Sequence, residues 1–175
     1  MKMKIFEIPD PILREKSLPI EKIDGKVRQT LDDMLETMYA AHGVGLAAPQ
    51  VGLLQRMVVI DIAGKDEEPH PYKMINPEIV SRSEEMETCS EGCLSLPSSY
   101  APVSRYKAVT VRYLDENGKQ QSLEAVDFLA VAVQHELDHL DGVLFIDHLS
   151  PMRRKMVIKR VEKIRKRRQE EEGQE

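Results

Sequence analysis

After Asp24-Gly25, apolar residues recur at Val27, Leu31, Met34, Leu35 and Met38. This i, i+4, i+7, i+8, i+11 stripe predicts an amphipathic helix running to about Ala41. His42-Gly43 ends it, and the glycine-rich segment Gly43-Val44-Gly45-Leu46-Ala47-Ala48-Pro49-Gln50 follows. Ahead of the helix, Ile8-Pro9-Asp10-Pro11 and Leu18-Pro19 read as extended or turn segments, because a proline biases the residue before it away from helix. Met57–Ile62 and Tyr72–Ile75 are expected strands on either side of a polar, proline-containing loop at residues 64–71. Val109–Leu114 and Ser122–Val126 flank Asp115-Glu116-Asn117-Gly118, a strong hairpin signal.

Asp127 is the expected N-cap of a second helix, in which Phe128, Leu129, Val131, Ala132 and Val133 surround the axis. A helix that is apolar nearly all round is a buried one. Gly142 is placed to stop it in the left-handed conformation. A third helix starts with Ser150 as N-cap and Pro151 at its first position, and Val157, Val161 and Ile164 give it one docked face.

Composition narrows the class. With 175 residues, 41% hydrophobic and 31% charged, the chain is expected to be one soluble globular domain. The first residues reach Pro9 too soon for a signal peptide, and no apolar run approaches a membrane span. Two cysteines make no disulfide framework, which points to a reducing, cytoplasmic compartment. The net charge of −5 is unevenly spread: residues 153–168 hold ten Lys/Arg against Glu162 alone, and residues 169–175 hold four glutamates and no base. An acidic body therefore carries a basic C-terminal helix.

The chemistry is concentrated in His135-Glu136-Leu137-Asp138-His139. Positions i and i+4 of a helix nearly superpose, so both imidazoles can reach one divalent ion, with Glu136 beside them as a base. A third ligand decides the type of site. Phe145 stands where the longer HExxHxxGxxH layout needs histidine, and Glu162 is a poor downstream ligand among ten bases. Cys93 would complete a Cys-His-His set with one position left open, as in catalytic sites. Cys89 and Cys93 with both histidines would instead make a closed structural site, against which count the 41 residues between Cys93 and His135 and a chain that needs no metal staple.

Three segments, Gly43–Gln50, Glu91-Gly92-Cys93-Leu94-Ser95 and Gln134–His139, resemble the signature motifs of the peptide deformylases in order and spacing. The resemblance implies an α+β fold with β-sheets wrapped around a central buried helix carrying HExxH, and an additional C-terminal helix. It implies a catalytic domain over 1–149, a basic helix over 150–168 packed on it, and an acidic tail over 169–175 expected to be disordered. By the same resemblance Cys93, His135 and His139 hold one divalent metal, Fe2+ in the cell with Ni2+, Co2+ or Zn2+ able to substitute. Glu136 would take the proton of a metal-bound water as it attacks the formyl carbon, and formate would leave. The Gln50 amide and the Leu94 N–H would hold the developing oxyanion. Val44, Cys89, Gly92, Phe128, Val131 and Ala132 would wall a methionine pocket, and Gly45 would let a substrate strand approach. Glu91 and Arg105 would form an ion pair steadying the cysteine loop.

Pro49 departs from the threonine common before the motif glutamine, and Cys89 stands where an apolar pocket residue is expected. Ser98-Ser99-Tyr100 replaces a more charged stretch, which bears on selectivity beyond the first substrate residue. The implied partners are nascent formyl-methionine chains and the ribosome near its exit tunnel, reached through the basic helix; no membrane or DNA partner is expected. Arg153, Lys155, Lys159, Lys163, Arg165, Lys166, Arg167 and Arg168 would face outward on that helix. Two other classes stay open on the residues alone: an HExxH peptidase, and a non-catalytic metal-stapled module that binds RNA.

Overall fold

Helix α1 (Gly25–Ala40) begins where the Asp24 side chain accepts the Val27 N–H at 3.0 Å. In a computed structural model describing residues 1–174, the apolar stripe of α1 buries Val27, Leu31, Met34 and Met38 against one face of a sheet. That sheet is antiparallel and ordered β1-β2-β3-β6-β7, from β1 (Gly45–Ala47), β2 (Met57–Ile60), β3 (Tyr72–Arg82), β6 (Ala108–Leu114) and β7 (Gln120–Val126). A separate two-stranded ribbon joins β4 (Met86–Cys93) to β5 (Leu96–Tyr106).

Helix α2 (Asp127–Leu140) packs on the other face of the main sheet and also meets β5, so it lies between the two sheets. Met57 and Val59 turn toward α1, while Val58 and Ile60 turn toward Val133, Leu137 and Leu140 of α2. Coverage of both faces explains why β2 reads as an unbroken apolar run. A third apolar cluster joins β5 to helix α3 (Pro151–Glu172) through Leu96, Val103, Phe145, Val157 and Val161. The architecture is α+β, with the HExxH helix central and a C-terminal helix added. No helix among the described residues is long and apolar enough to cross a membrane.

Three local expectations are corrected. Asp127 does not cap α2: Val126 holds the cap position without a side-chain bond, and Asp127 adopts φ 55°, its N–H donating to the Lys107 carbonyl at 2.9 Å. Left-handed backbone, which aspartate tolerates better than most residues, turns the chain sharply from strand to helix. Helix α3 does not stop at Arg168 but continues through Glu172, so the acidic segment is helical there. Arg165 is half-buried rather than outward, because its guanidinium bonds the Ile8 carbonyl.

Candidate metal centre

His135 and His139 stand one turn apart on the buried part of α2, their Nε2 atoms 3.3 Å from each other. Cys93 closes the group from the end of β4, with Sγ 3.4 Å from His139 Nε2. The three ligand atoms all lie within 4.8 Å of one another, and among the described residues no other His, Cys, Asp or Glu cluster of this kind occurs. Just past His139 the chain closes α2 cleanly: Gly142 (φ 73°) and Val143 donate to the carbonyls of His139 and Asp138 at 3.1 and 3.0 Å. This pattern needs a left-handed residue, and a β-carbon at 142 would collide with the Arg14 carbonyl.

The ligands are oriented from behind. Glu91 Oε1 lies 2.9 Å from His135 Nδ1, which leaves Nε2 turned to the ligand cluster. Arg105 grips Glu91 with two bonds of 2.7 and 2.9 Å, and reaches Asp138 at 2.7 Å. Burial opposes the Glu91 charge, but the bonds from Arg105 and His135 outweigh it and bring its pKa down to about 2. Burial likewise opposes charge on His135, yet its bonds to Cys93 and Glu91 pull its pKa well up. His139 goes the other way: burial, then the charge on His135, holds its pKa well below the ordinary value. Cys93 Sγ and two ring nitrogens converge on one point, and one sulfur with two nitrogen donors suits a divalent cation.

Glu136 is buried beside this group, with Oε1 3.9 Å from His135 Nε2 and Oε2 lacking any hydrogen-bond partner among the described residues. Burial pushes its pKa up to about 7. Opposite stands Gln50, in a short helical turn (Ala48–Val51) whose early Pro49 sits where a missing N–H costs little. Its Oε1 accepts the Ala47 N–H at 2.9 Å, while Nε2 donates to Ser95 Oγ at 3.0 Å and lies 3.4 Å from Cys93 Sγ. One end of the amide therefore satisfies the backbone, and the donor end is aimed at the ligand cluster. A cleft of about 530 Å³ opens over these groups.

The family model for polypeptide deformylase matches residues 2–155. The chain belongs to the peptide deformylase family. It is 52% identical over 159 residues to the peptide deformylase of Mesorhizobium japonicum, spanning 91% of this chain and 90% of that one. The crystal structure of peptide deformylase from Ehrlichia chaffeensis superposes with a TM-score of 0.91 at 38% identity, covering 95% of this chain and 98% of that one. A structure of the Ehrlichia chaffeensis peptide deformylase in complex with actinonin gives a TM-score of 0.87 at 40% identity, covering 93% and 96%. Membership makes the chain an enzyme, a deformylase, and a metal-dependent one.

Within this deformylase frame the structure brings most of the expected residues together. Val44, Gly45, Gln50, Gly92, Cys93, Leu94, Phe128, Val131, Ala132, His135 and Glu136 all line the cleft. His139 lies beneath it, 1% exposed. Cys89 does not line it: it sits four residues back on β4, opposite Val103, and outside the ligand group. The four-ligand structural site therefore finds no support, and neither does Glu162, which is on the exposed side of α3. Sequence reasoning gave no role to Ser95, which steadies Gln50, or to Asp138, which the Arg105 bond ties to the network. Ser95 was visible within the second motif; Asp138 was visible within HExxH but had no partner in sequence.

Proposed function

We propose that the enzyme removes the N-formyl group from the N-terminal formylmethionine of nascent chains and releases formate. One observation carries the reading: three converging ligand atoms from Cys93, His135 and His139 stand at the floor of a cleft, beside a buried Glu136 carboxylate oxygen without a hydrogen-bond partner among the described residues. Cys93, His135 and His139 would hold a divalent cation, which would supply Lewis acidity for water activation and carbonyl polarisation. We read the ion as ferrous iron, with nickel, cobalt or zinc as substitutes, since thiolate and imidazole suit all of them.

The protein's own groups do the rest. Glu136, with a pKa near the working pH, takes a proton from the attacking water and returns it to the departing amine. A C–O bond forms, the C–N bond breaks, and formate and a free amino terminus result. The Gln50 amide and the Leu94 N–H face the oxygen on which negative charge develops. Val44, Gly92, Phe128, Val131 and Ala132 offer the methionine side chain an apolar wall. Gly45 brings the backbone close to Glu136, since a β-carbon there would lie 2.6 Å from Oε1. The edge strand β1 leaves its outer side open to an extended peptide.

We further propose that the exposed bases of α3 dock the enzyme on ribosomal RNA in the cytoplasm, close to its substrates. The exposed Lys155, Lys159, Lys163, Lys166 and Arg167 support this, because like charges at helical spacing repel, whereas Arg154, Arg160, Arg165 and Arg168 bond Asp147, Ser98, Ile8 and Glu7 and serve the fold. The deciding experiment compares formyl-Met-Ala-Ser with its unformylated form under anaerobic ferrous iron, reading formate and free amine. Formate released only from the first supports the reading. Cleavage of internal peptide bonds would favour the peptidase alternative.

A further inference from the structure

Residues 41–44 connect α1 to β1 and form one wall of the cleft. Four backbone bonds hold that wall, two of them from the Ala41 and His42 N–H groups to the Thr37 and Tyr39 carbonyls at 3.1 Å each. The Gly43 N–H donates to the Met38 carbonyl at 3.0 Å, and the Val44 carbonyl accepts the Asp61 N–H at 2.8 Å. Behind it lies a compact polar hub. The Asp61 carboxylate, 4% exposed, accepts the Tyr39 hydroxyl at 2.5 Å, the Ala63 N–H at 3.0 Å and the His70 N–H at 3.1 Å. Tyr39 belongs to the last turn of α1, and Asp61 directly follows β2. The pair therefore fastens both ends of the wall to each other, and neither side chain lines the cleft.

We propose that Tyr39 and Asp61 are positioning residues, setting the register in which a substrate backbone pairs with the open edge at Val44–Gly45. The inference rests on the deformylase reading of the site. Tolerance there is small, because Gly45 leaves Glu136 no room for even a β-carbon. The chemistry of the pair suits a fixed clamp. Burial, and then the Asp61 charge, pushes the Tyr39 pKa up to about 12, so the hydroxyl stays a donor at any working pH. Three donors converge on Asp61, and an asparagine there would turn an N–H toward at least one of them.

A clamp that only stabilises the fold would affect all substrates alike. A clamp that sets peptide register matters most for substrates with backbone beyond the methionine. Tyr39→Phe and Asp61→Asn should be compared with wild type on formyl-Met-Ala-Ser and on formylmethionine amide, with metal content and thermal midpoint recorded. The expected result is a KM for the tripeptide raised about three- to tenfold, part of what a hydrogen bond to a charged group contributes, with kcat within about twofold. On formylmethionine amide, kcat/KM should stay within about twofold. If Asp61→Asn does not fold, Tyr39→Phe decides alone, since it deletes one oxygen. Equal losses on both substrates, a fall in kcat instead of a rise in KM, or an unchanged tripeptide KM would overturn the proposal. Failure of the deformylase reading itself looks different: wild type would then turn over neither substrate.

Discussion

Glu136 is an acid kept where its charge is costly, and that cost sets its usefulness: a carboxyl with a pKa near 7 can both take and return a proton. Glu136→Gln should retain a full metal complement and lose about 10²–10⁴-fold in kcat. Rate and metal content measured on one preparation test this, and an unchanged kcat in fully loaded variant contradicts it. Cys93→Ser should lose much of its metal, whereas Cys89→Ala should keep it, because only Cys93 stands among the ligand atoms. Equal metal loss in both would revive the four-ligand site. Glu91 makes a third, pH-dependent case. Its folded pKa of about 2 lies below the ordinary 4.5, so its contribution is present above 4.5 and fades as pH falls toward 2. Urea midpoints of the metal-free protein should drop through that window, and Glu91→Gln, already destabilised at neutral pH by a buried Arg105 left with Asp138 as its carboxylate partner, should drop less. Parallel curves would count against the assignment. The ligands were legible in the sequence because helical spacing makes His135 and His139 neighbours. Asp61 was not, because its partner Tyr39 lies 22 residues away and only the fold brings them together.

Helices were the easier elements to foresee. The stripe of α1 and the Ser150-Pro151 start of α3 stand where the pattern places them, and the β6–β7 hairpin surrounds its predicted turn. The β4–β5 ribbon gave no such signal. Half of β4 is exposed, and the inward positions of β5 include Ser99, Ala101 and Arg105, so burial alternates where hydropathy does not. Pro97 and Pro102 also argue against a strand, and are tolerated because the ribbon has free edges. At the end of α2, Gly142→Ala should destabilise the protein by about 1–3 kcal/mol, through a left-handed backbone and contact with the Arg14 carbonyl. A urea midpoint unchanged from wild type would show that the α2 terminus tolerates another geometry.

Seen whole, the molecule is an acidic body whose basic helix is also part of its core. Val157 and Val161 pack with Phe145, and the Phe145 ring stacks on His135 with centroids 6.1 Å apart. Removing α3 would therefore disturb a metal ligand, so charge reversal is the cleaner test of docking. Replacing the exposed Lys155, Lys159, Lys163, Lys166 and Arg167 by glutamate should abolish salt-sensitive co-sedimentation with ribosomes and leave kcat/KM on a short formyl peptide within a few-fold. Undiminished co-sedimentation would rule out this helix as the contact.

Cys93 comes from the ribbon, while both histidines come from the helix between the sheets. An ion shared by them is a cross-link as well as a reagent, closing a ring of chain from residue 93 to residue 135. Loading the metal should then slow amide hydrogen exchange in β4 and β5, whose local opening must now break that ring, and leave α1 nearly unchanged. Breathing of the ribbon and retention of the ion become one equilibrium observed from two ends.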